Sequence, residues 1–391
     1  MNKLLLFFVL LPVFFVAHGQ IWDMNRMEST PLYKIWTQDS VVSLVYHGLA
    51  YRGNTKEVFA YYCTPGLLSG DRSKDKNLPA MVLVHGGGGT AFRDWVTYWA
   101  RRGYAAISMD LRGFGEGRQP LENGFKEPAS GTPYFALGDT ISEHWIYQAV
   151  GDIVYAHSLI RSFPEIDSSR TALTGISWGG VLTCIVAGLD SRFKAFVPVY
   201  GCGYLYEHSA MAEPIHSLPP VQYKRWVDWY DPSNYVGKAN CPVLFVNGTN
   251  DFNFFLDTYC KTYALVNDYT LCIKPRMEHG HKPGWENDEI NAFVSHILNK
   301  TEPLPVFAKI ERKNDNLEVQ VSAVVPLKEA ALNYTTDTCD LKLRKWKSLP
   351  AHFKNETVWI HKLPENTTIW FFSVMDEKGH FVSSDLMFES N

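Results

Sequence analysis

The sequence predicts an α/β chain: a mostly parallel sheet flanked by helices, followed by a small C-terminal β-sandwich. Three observations carry this. Between about Leu78 and Lys300, short Val-, Ile- and Leu-rich runs alternate with helix-patterned segments, as βαβ units do. Each run ends in a glycine-rich or polar loop, so reactive side chains gather at the strands' carboxyl ends, where parallel sheets carry their chemistry. After about Thr301 the rhythm changes to six or seven short strands separated by Asn, Asp, Pro and Gly turns.

The elements follow in order. "VVSLVYHGLAYRG" and "EVFAYYCTP" alternate in polarity and read as hairpin strands. "AMVLVHGGGG" is a buried strand entering a glycine loop, and "AFRDWVTYWARRG" has helical spacing with a Gly stop. "AAISMDLRGFGEG" is strand then loop, and "IYQAVGDIVYAHSLIRSF" is helical. "RTALTGISWGG" is strand then turn, continuing as the helix "GGVLTCIVAGL". "KAFVPVYGCG", "CPVLFVNGTND" and "YTLCIKPRMEHGH" repeat the strand–loop pattern before the closing helix "DEINAFVSHILNK". Residues 203–242 are rich in Trp, Tyr and Pro and read as a cap over a site, with a long helical connection as the alternative. "PLP" at 303–305 reads as a linker, dividing 20–302 from 303–391.

Composition narrows the function. The 391 residues are 46% hydrophobic and 20% charged, as in globular proteins, and a net charge of −4 excludes the basic footprint of a nucleic-acid binder. The 12 Trp and 20 Tyr suit flat or sugar-like ligands, and they equally suit cores. Lys3, the apolar run Leu4–Ala17 and the small residues of Ala17-His18-Gly19 read as a secretory signal over 1–19, too short to span a membrane. An exported mature chain, secreted or periplasmic, is expected to start near Gln20, with no membrane span. Seven cysteines without CxxC spacing argue against a zinc or redox site, and no metal or cofactor is expected.

The chemistry centres on "LTGISWGG", residues 173–180. A strand followed by a sharp turn into a helix presents Ser177 above the sheet, with Gly175 and Gly179 sparing the bend from side-chain clashes. The following helix sets its positive end beside developing negative charge. Serine needs a base, and the expected chain order is Ser, Asp or Glu, then His. Asp251 stands in "LFVNGTND", beyond the strand's last apolar residue, Val246, and His279 stands in "CIKPRMEHGH". A Pro followed by three residues and then His favours His279, with His281 in the same loop as its competitor. The run His85–Gly89 lets backbone amides approach an oxyanion. The donors are assigned to Gly87 N–H and Trp178 N–H. A phosphate loop would need a Lys-Ser/Thr that this run lacks. Asp110 and Arg112 read as structural ion pairs beneath the site. Glu143, His144 and Asp152 read as solvated or capping groups.

Taken together, HGGGG, MDLRGFGEG, GISWGG, NGTND and MEHGH, in that order, resemble an α/β-hydrolase over about residues 40–300. The closest resemblance is to the branch of acetyl xylan esterases, cephalosporin-C deacetylases and prolyl-oligopeptidase-like hydrolases. It implies a serine hydrolase passing through an acyl-enzyme, without a cofactor. The tail resembles the immunoglobulin-like or fibronectin-type modules appended to some such enzymes. Residues 20–84 are too few for the propeller of the oligopeptidases. The expected function is an exported carbohydrate esterase acting on a small acylated or polysaccharide substrate. A secreted serine peptidase is the alternative, and a non-catalytic carbohydrate binder is disfavoured by the intact Ser, Asp and His.

Overall fold

The computed structural model describes residues 21–127, 133–313 and 316–389, so the signal expected over 1–19 lies outside the described residues. Nine strands build the first part of the sheet: β1 (Tyr33–Gln38), β2 (Val42–His47), β3 (Glu57–Cys63), β4 (Leu78–Val84), β5 (Ala105–Met109), β6 (Ile166–Ile176), β7 (Ala195–Val199), β8 (Val243–Gly248) and β9 (Tyr269–Lys274). Their spatial order is β1-β2-β3-β5-β4-β6-β7-β8-β9. β1, β2 and β3 pair antiparallel, as does β3 with β5, and every later pair up to β9 is parallel. This is the mostly parallel sheet that the sequence predicts.

β4, "LPAMVLV", is buried at every position because both faces of the sheet are covered. Helices Arg93–Ala100, Trp145–Arg161, Trp178–Ala187 and Asp288–Asn299 are among those that cover it. The register aligns the chemistry. Val84 pairs with Gly175, Gly175 with Pro198, Val199 with Val246, and Val246 with Cys272. The loops leaving β4, β6, β8 and β9 therefore emerge along one edge.

Charged groups buried along the helix Trp145–Arg161 are paired. The Lys56 ammonium lies 2.7 Å from the Asp152 carboxylate, both buried. Burial lowers the Lys56 pKa and lifts Asp152 to about 6. Asp152, read from sequence as solvated or capping, is therefore half of a buried ion pair. The reason is that Trp145–Arg161 is enclosed along nearly its whole length. On the same helix, His157 Nδ1 lies 2.8 Å from Asp190 and its Nε2 lies 2.9 Å from Thr171 Oγ1, with Arg192 closing on Asp190 at 2.6 Å. Burial pushes His157 down to about 4.

The tail comprises β10 (Val306–Phe307), β11 (Glu311–Lys313), β12 (Asn316–Ser322), β13 (Leu327–Thr335), β14 (Lys347–Pro350), β15 (His352–Lys354), β16 (Thr357–Ile360), β17 (Ile369–Asp376), β18 (Phe381–Ser383) and β19 (Met387–Phe388). One sheet runs β10-β12-β16-β15, with β11 also on β12. In β12, buried Leu317, Val319 and Val321 alternate with less buried polar neighbours, the period of a half-buried strand. The other sheet runs β18-β17-β13-β14, with β19 also on β17. β18 pairs antiparallel with β9 at Ser383 and Leu271, so the hydrolase sheet continues into the tail as one 14-stranded sheet. Ile273 N–H donates to Ser383 Oγ at 3.1 Å, Tyr269 hydroxyl to Asp385 at 2.8 Å, and Leu386 N–H to Tyr263 hydroxyl at 3.0 Å. The tail thus covers what would be an open sheet edge.

Candidate active site

Ser177 leaves β6 with φ 59° and ψ −116°, a conformation rare for a side chain and worth about 1–3 kcal/mol of strain. Close packing holds it there. A Cβ on Gly175 would stand 2.2 Å from the Gly179 carbonyl oxygen, and one on Gly179 would stand 2.2 Å from that of Val84. The turn can come this close to the neighbouring strand only because both positions are glycine. Ser177 N–H donates to Val199 O at 2.9 Å, and Ser177 O accepts Val181 N–H at 3.0 Å, locking the turn between strand and helix.

Asp251 is buried beyond β8. Its Oδ1 accepts the N–H groups of Asn253 and Phe254, each at 2.8 Å, and its Oδ2 lies 2.6 Å from His279 Nδ1. An ionised carboxylate can only accept, so this contact puts the neutral ring's proton on Nδ1 and leaves Nε2 as acceptor. His279 Nε2 lies 3.0 Å from Ser177 Oγ. The structure therefore brings Ser177, His279 and Asp251 into one hydrogen-bonded chain. The Tyr200 ring stacks on His279 at 4.3 Å, and its hydroxyl donates to Glu278 O at 2.7 Å, fixing both imidazole and loop.

His281 does something else. Its Nε2 accepts Gly86 N–H at 2.9 Å, and its ring packs on Phe92 at 4.8 Å. Burial pushes its pKa down to about 4, so near neutral pH it is the uncharged acceptor this bond requires. The loop His85–Gly89 is pressed against the serine turn. A Cβ on Gly86 would stand 3.0 Å from Ser177 Cβ, and one on Gly87 would stand 2.9 Å from Trp178 Cδ1 and 2.8 Å from the Tyr134 hydroxyl. Among the described residues, neither the Gly87 nor the Trp178 amide donates to a backbone acceptor outside regular helix and strand bonding. His85 ties the loop down, with Nδ1 2.7 Å from Gly86 O and Nε2 accepting Leu111 N–H at 3.0 Å.

The surroundings amend the sequence reading. Asp110 accepts Arg112 N–H at 2.9 Å, Phe114 N–H at 2.8 Å and the Thr90 hydroxyl at 2.7 Å, so it braces loops. The Arg112 guanidinium pairs instead with Glu127, at 2.8 Å through Nη2. Residues 203–242 include helices Ala212–His216 and Pro220–Tyr230. From the second of these, Trp226 Nε1 donates to Tyr134 O at 2.9 Å, and Tyr134 stacks on Trp178 at 4.2 Å. The segment thus backs an aromatic wall next to the serine. Tyr134 and Tyr200 were not singled out from sequence. Tyr200 was findable, because it directly follows β7 at the same sheet edge. Tyr134 had no motif to mark it. Among the described residues no group of three or more His, Cys, Asp or Glu could hold a metal ion, and all seven cysteines are free.

The acetyl xylan esterase family model matches residues 23–215, and the prolyl oligopeptidase family model matches residues 135–302. An acetyl esterase of Xylanibacter ruminicola is 25% identical over 168 residues, covering 40% of this chain and 38% of the relative. Dipeptidyl peptidase 4 of Sus scrofa is 26% identical over 254 residues, covering 59% of this chain and 30% of the relative. The matches thus span well under half the length of these curated relatives. An acetyl xylan esterase structure from Paenibacillus sp. R4 superimposes with a TM-score of 0.55 at 22% identity, covering 70% of this chain and 92% of that one. Fold order, turn geometry and the two overlapping family matches agree: the chain has the α/β-hydrolase fold of a serine hydrolase and is similar, over different stretches, to acetyl xylan esterases and to prolyl oligopeptidase-like enzymes.

Proposed function

We propose that the protein is an exported serine hydrolase, a carbohydrate esterase that removes acetyl or similar small acyl groups through an acyl-enzyme. The observation that carries the reading is the hydrogen-bonded chain from Ser177 Oγ to His279 Nε2 (3.0 Å) and from His279 Nδ1 to Asp251 Oδ2 (2.6 Å). Ser177 Oγ attacks the ester carbonyl while His279 Nε2 takes its proton. Asp251 holds the Nδ1–H tautomer and stabilises the imidazolium. The Gly87 and Trp178 amides receive the oxyanion, each donor worth about 3–4 kcal/mol of transition-state stabilisation. The tetrahedral intermediate collapses, the alcohol leaves with the proton from His279, and the acyl group stays on Ser177. Water, deprotonated by His279, then attacks the acyl-serine, releasing the carboxylic acid and restoring the hydroxyl.

The match of residues 23–215 to the acetyl xylan esterase family supports an ester substrate. The match of residues 135–302 to the prolyl oligopeptidase family favours a second reading, a secreted serine peptidase using the same three residues. Export rests on the signal-like residues 1–19, and no helix of the described residues is long and apolar enough to cross a membrane. The test offers p-nitrophenyl acetate, acetylated xylan and an aminoacyl-nitroanilide to wild type and Ser177→Ala. Ester cleavage falling roughly 10⁶-fold in the variant is expected. Cleavage of the anilide alone moves the assignment to a peptidase, and equal rates in both proteins end the serine mechanism.

A further inference from the structure

A cleft of about 570 Å³ opens beside His279, lined by Phe252, Arg276, His279, Lys342, Arg344 and Lys345. Its walls come from both halves of the chain. Phe252 and Arg276 lie on the loops after β8 and β9, whereas 342–345 belong to the tail between β13 and β14. Asn250 Nδ2 fastens the tail loop to the catalytic loop, donating to Lys342 O at 3.1 Å and Arg344 O at 2.8 Å. Arg276 Nη2 donates to Trp346 O at 3.2 Å, and the Lys342 ammonium sits 5.6 Å from the Phe255 ring. The tail is therefore held against the very loops that carry Asp251 and His279.

Four cationic side chains line this cleft against one carboxylate, Glu278. Lys342 has a loose neighbour, Asp340 at 3.5 Å. The Arg344 guanidinium donates to Cys339 O at 2.9 Å and the Thr368 hydroxyl at 3.1 Å, neither of them charged. Asp337 accepts the backbone N–H of Lys345 at 2.7 Å, and among the described residues the Lys345 ammonium has no carboxylate partner. Asp251 is turned away, committed to His279. Among the described residues, Arg276, Arg344 and Lys345 thus form no ion pair, and the cleft keeps an excess of positive charge where a substrate would sit.

The side of the reaction follows from which residue borders the cleft. His279 lines it and Ser177 does not. His279 gives its proton to the departing oxygen, so whatever is attached to that oxygen lies on the His279 side. We infer that this cleft receives the leaving alcohol and selects one that bears a carboxylate: a uronate-bearing saccharide, deacylated by the enzyme. The inference rests on the esterase reading above. Arginine and lysine meet a sugar carboxylate through charge-assisted hydrogen bonds. Phe252, 55% exposed, offers a ring face to the saccharide.

The experiment compares acetylated xylo-oligosaccharides of equal length with and without a glucuronate branch, alongside p-nitrophenyl acetate. kcat/KM is expected to be about 10-fold or more higher for the uronate-bearing ester at low salt. Because the cleft is open to solvent, that preference shrinks as ionic strength rises. Lys345→Gln and Arg344→Gln are each expected to reduce the ratio of the two substrates about threefold or more. A ratio is insensitive to partial unfolding, and Lys345→Gln carries the test if Arg344→Gln unsettles the loop. Equal kcat/KM for the pair, with nitrophenyl acetate hydrolysed, overturns the inference and leaves the esterase reading standing. Should no ester be cleaved, calorimetry with unacetylated xylotriose and its glucuronate-bearing counterpart reads the cleft directly. Tighter binding of the acidic sugar, lost in Lys345→Gln, upholds its carboxylate selectivity, and equal binding overturns it. Preference for an acetylated peptide with a free C-terminal carboxylate over its amide, without saccharide discrimination, overturns the saccharide assignment.

Discussion

Two histidines two residues apart share one loop, and their contacts divide the work. His279 reaches Ser177 Oγ, while His281 accepts the Gly86 amide and so holds the glycine loop. His279→Ala is expected to lower kcat/KM on p-nitrophenyl acetate by about 10⁶-fold. His281→Ala keeps base and nucleophile but loosens the loop proposed to supply an oxyanion donor, so its loss is expected to stay at or below about 10³-fold. Steady-state kinetics on both variants checks this, and equal losses would contradict the division. Asp251→Asn is expected to cost roughly 10⁴-fold, through the wrong tautomer. The hydrogen-bonded grouping of Ser177, Asp251 and His279 was legible in the sequence because each follows an apolar run in a distinctive loop. The contact of His281 was not, since spacing along the chain cannot say which of two neighbouring rings faces the serine. Lys56 and Asp152 were hidden for a similar reason, because their pairing bridges 96 positions.

At the scale of elements, the serine turn works by exclusion of volume. Gly179→Ala would place a methyl 2.2 Å from the Val84 carbonyl oxygen, between β4 and the helix Trp178–Ala187. Backbone on both sides must move, and a cost of about 1–3 kcal/mol is expected from the denaturation midpoint. An unchanged midpoint would show that the turn is slacker than the contacts imply. The helix Trp145–Arg161 gives the fold an acid sensitivity. His157 sits at about 4 when folded, below its ordinary 6.5, because it is buried. Between those values the unfolded chain binds a proton that the folded chain refuses, so stability is lost as pH falls from 6.5 to 4. His281, also near 4, acts in the same direction, whereas Asp152, lifted by burial to about 6, opposes them between that value and its ordinary 3.8, one carboxyl against two imidazoles. Burial pushes Asp190 up, yet His157 and Arg192 outweigh it and hold the carboxyl low, which extends the loss below about pH 4. Urea unfolding at pH 7 and pH 5 is expected to show lower stability at pH 5. His157→Gln should flatten part of that slope, and an unaltered slope would contradict the assignment.

For the whole molecule, the sheet is continuous from β1 to β14, through the pairing of β9 with β18. The change of rhythm near residue 301 marked the start of the tail, but nothing in it could show that Phe381–Ser383 returns to the hydrolase edge. That contact involves a single residue pair, Ser383 with Leu271, backed by side-chain bonds such as that of Ile273 N–H to Ser383 Oγ, 110 positions apart. Patterns of alternation report which face of a strand is buried, not which strand lies beside it. The fold class was readable, and the service the tail performs was not. Because the sheet is shared, calorimetry is expected to record one cooperative transition for the full chain. A chain ending at residue 302 is expected to aggregate through the uncovered β9 edge, seen by size-exclusion chromatography. Two well-separated transitions, or a monomeric truncated chain of full stability, would contradict that view.

The central claim is that Ser177 is an activated nucleophile and that His279 activates it. Labelling with a fluorophosphonate, followed by peptide mass spectrometry, tests it most directly. The predicted result is stoichiometric modification at Ser177, absent in Ser177→Ala, slowed by orders of magnitude in His279→Ala and far less in His281→Ala. Modification at another residue, or equal labelling rates in wild type and His279→Ala, would contradict the account.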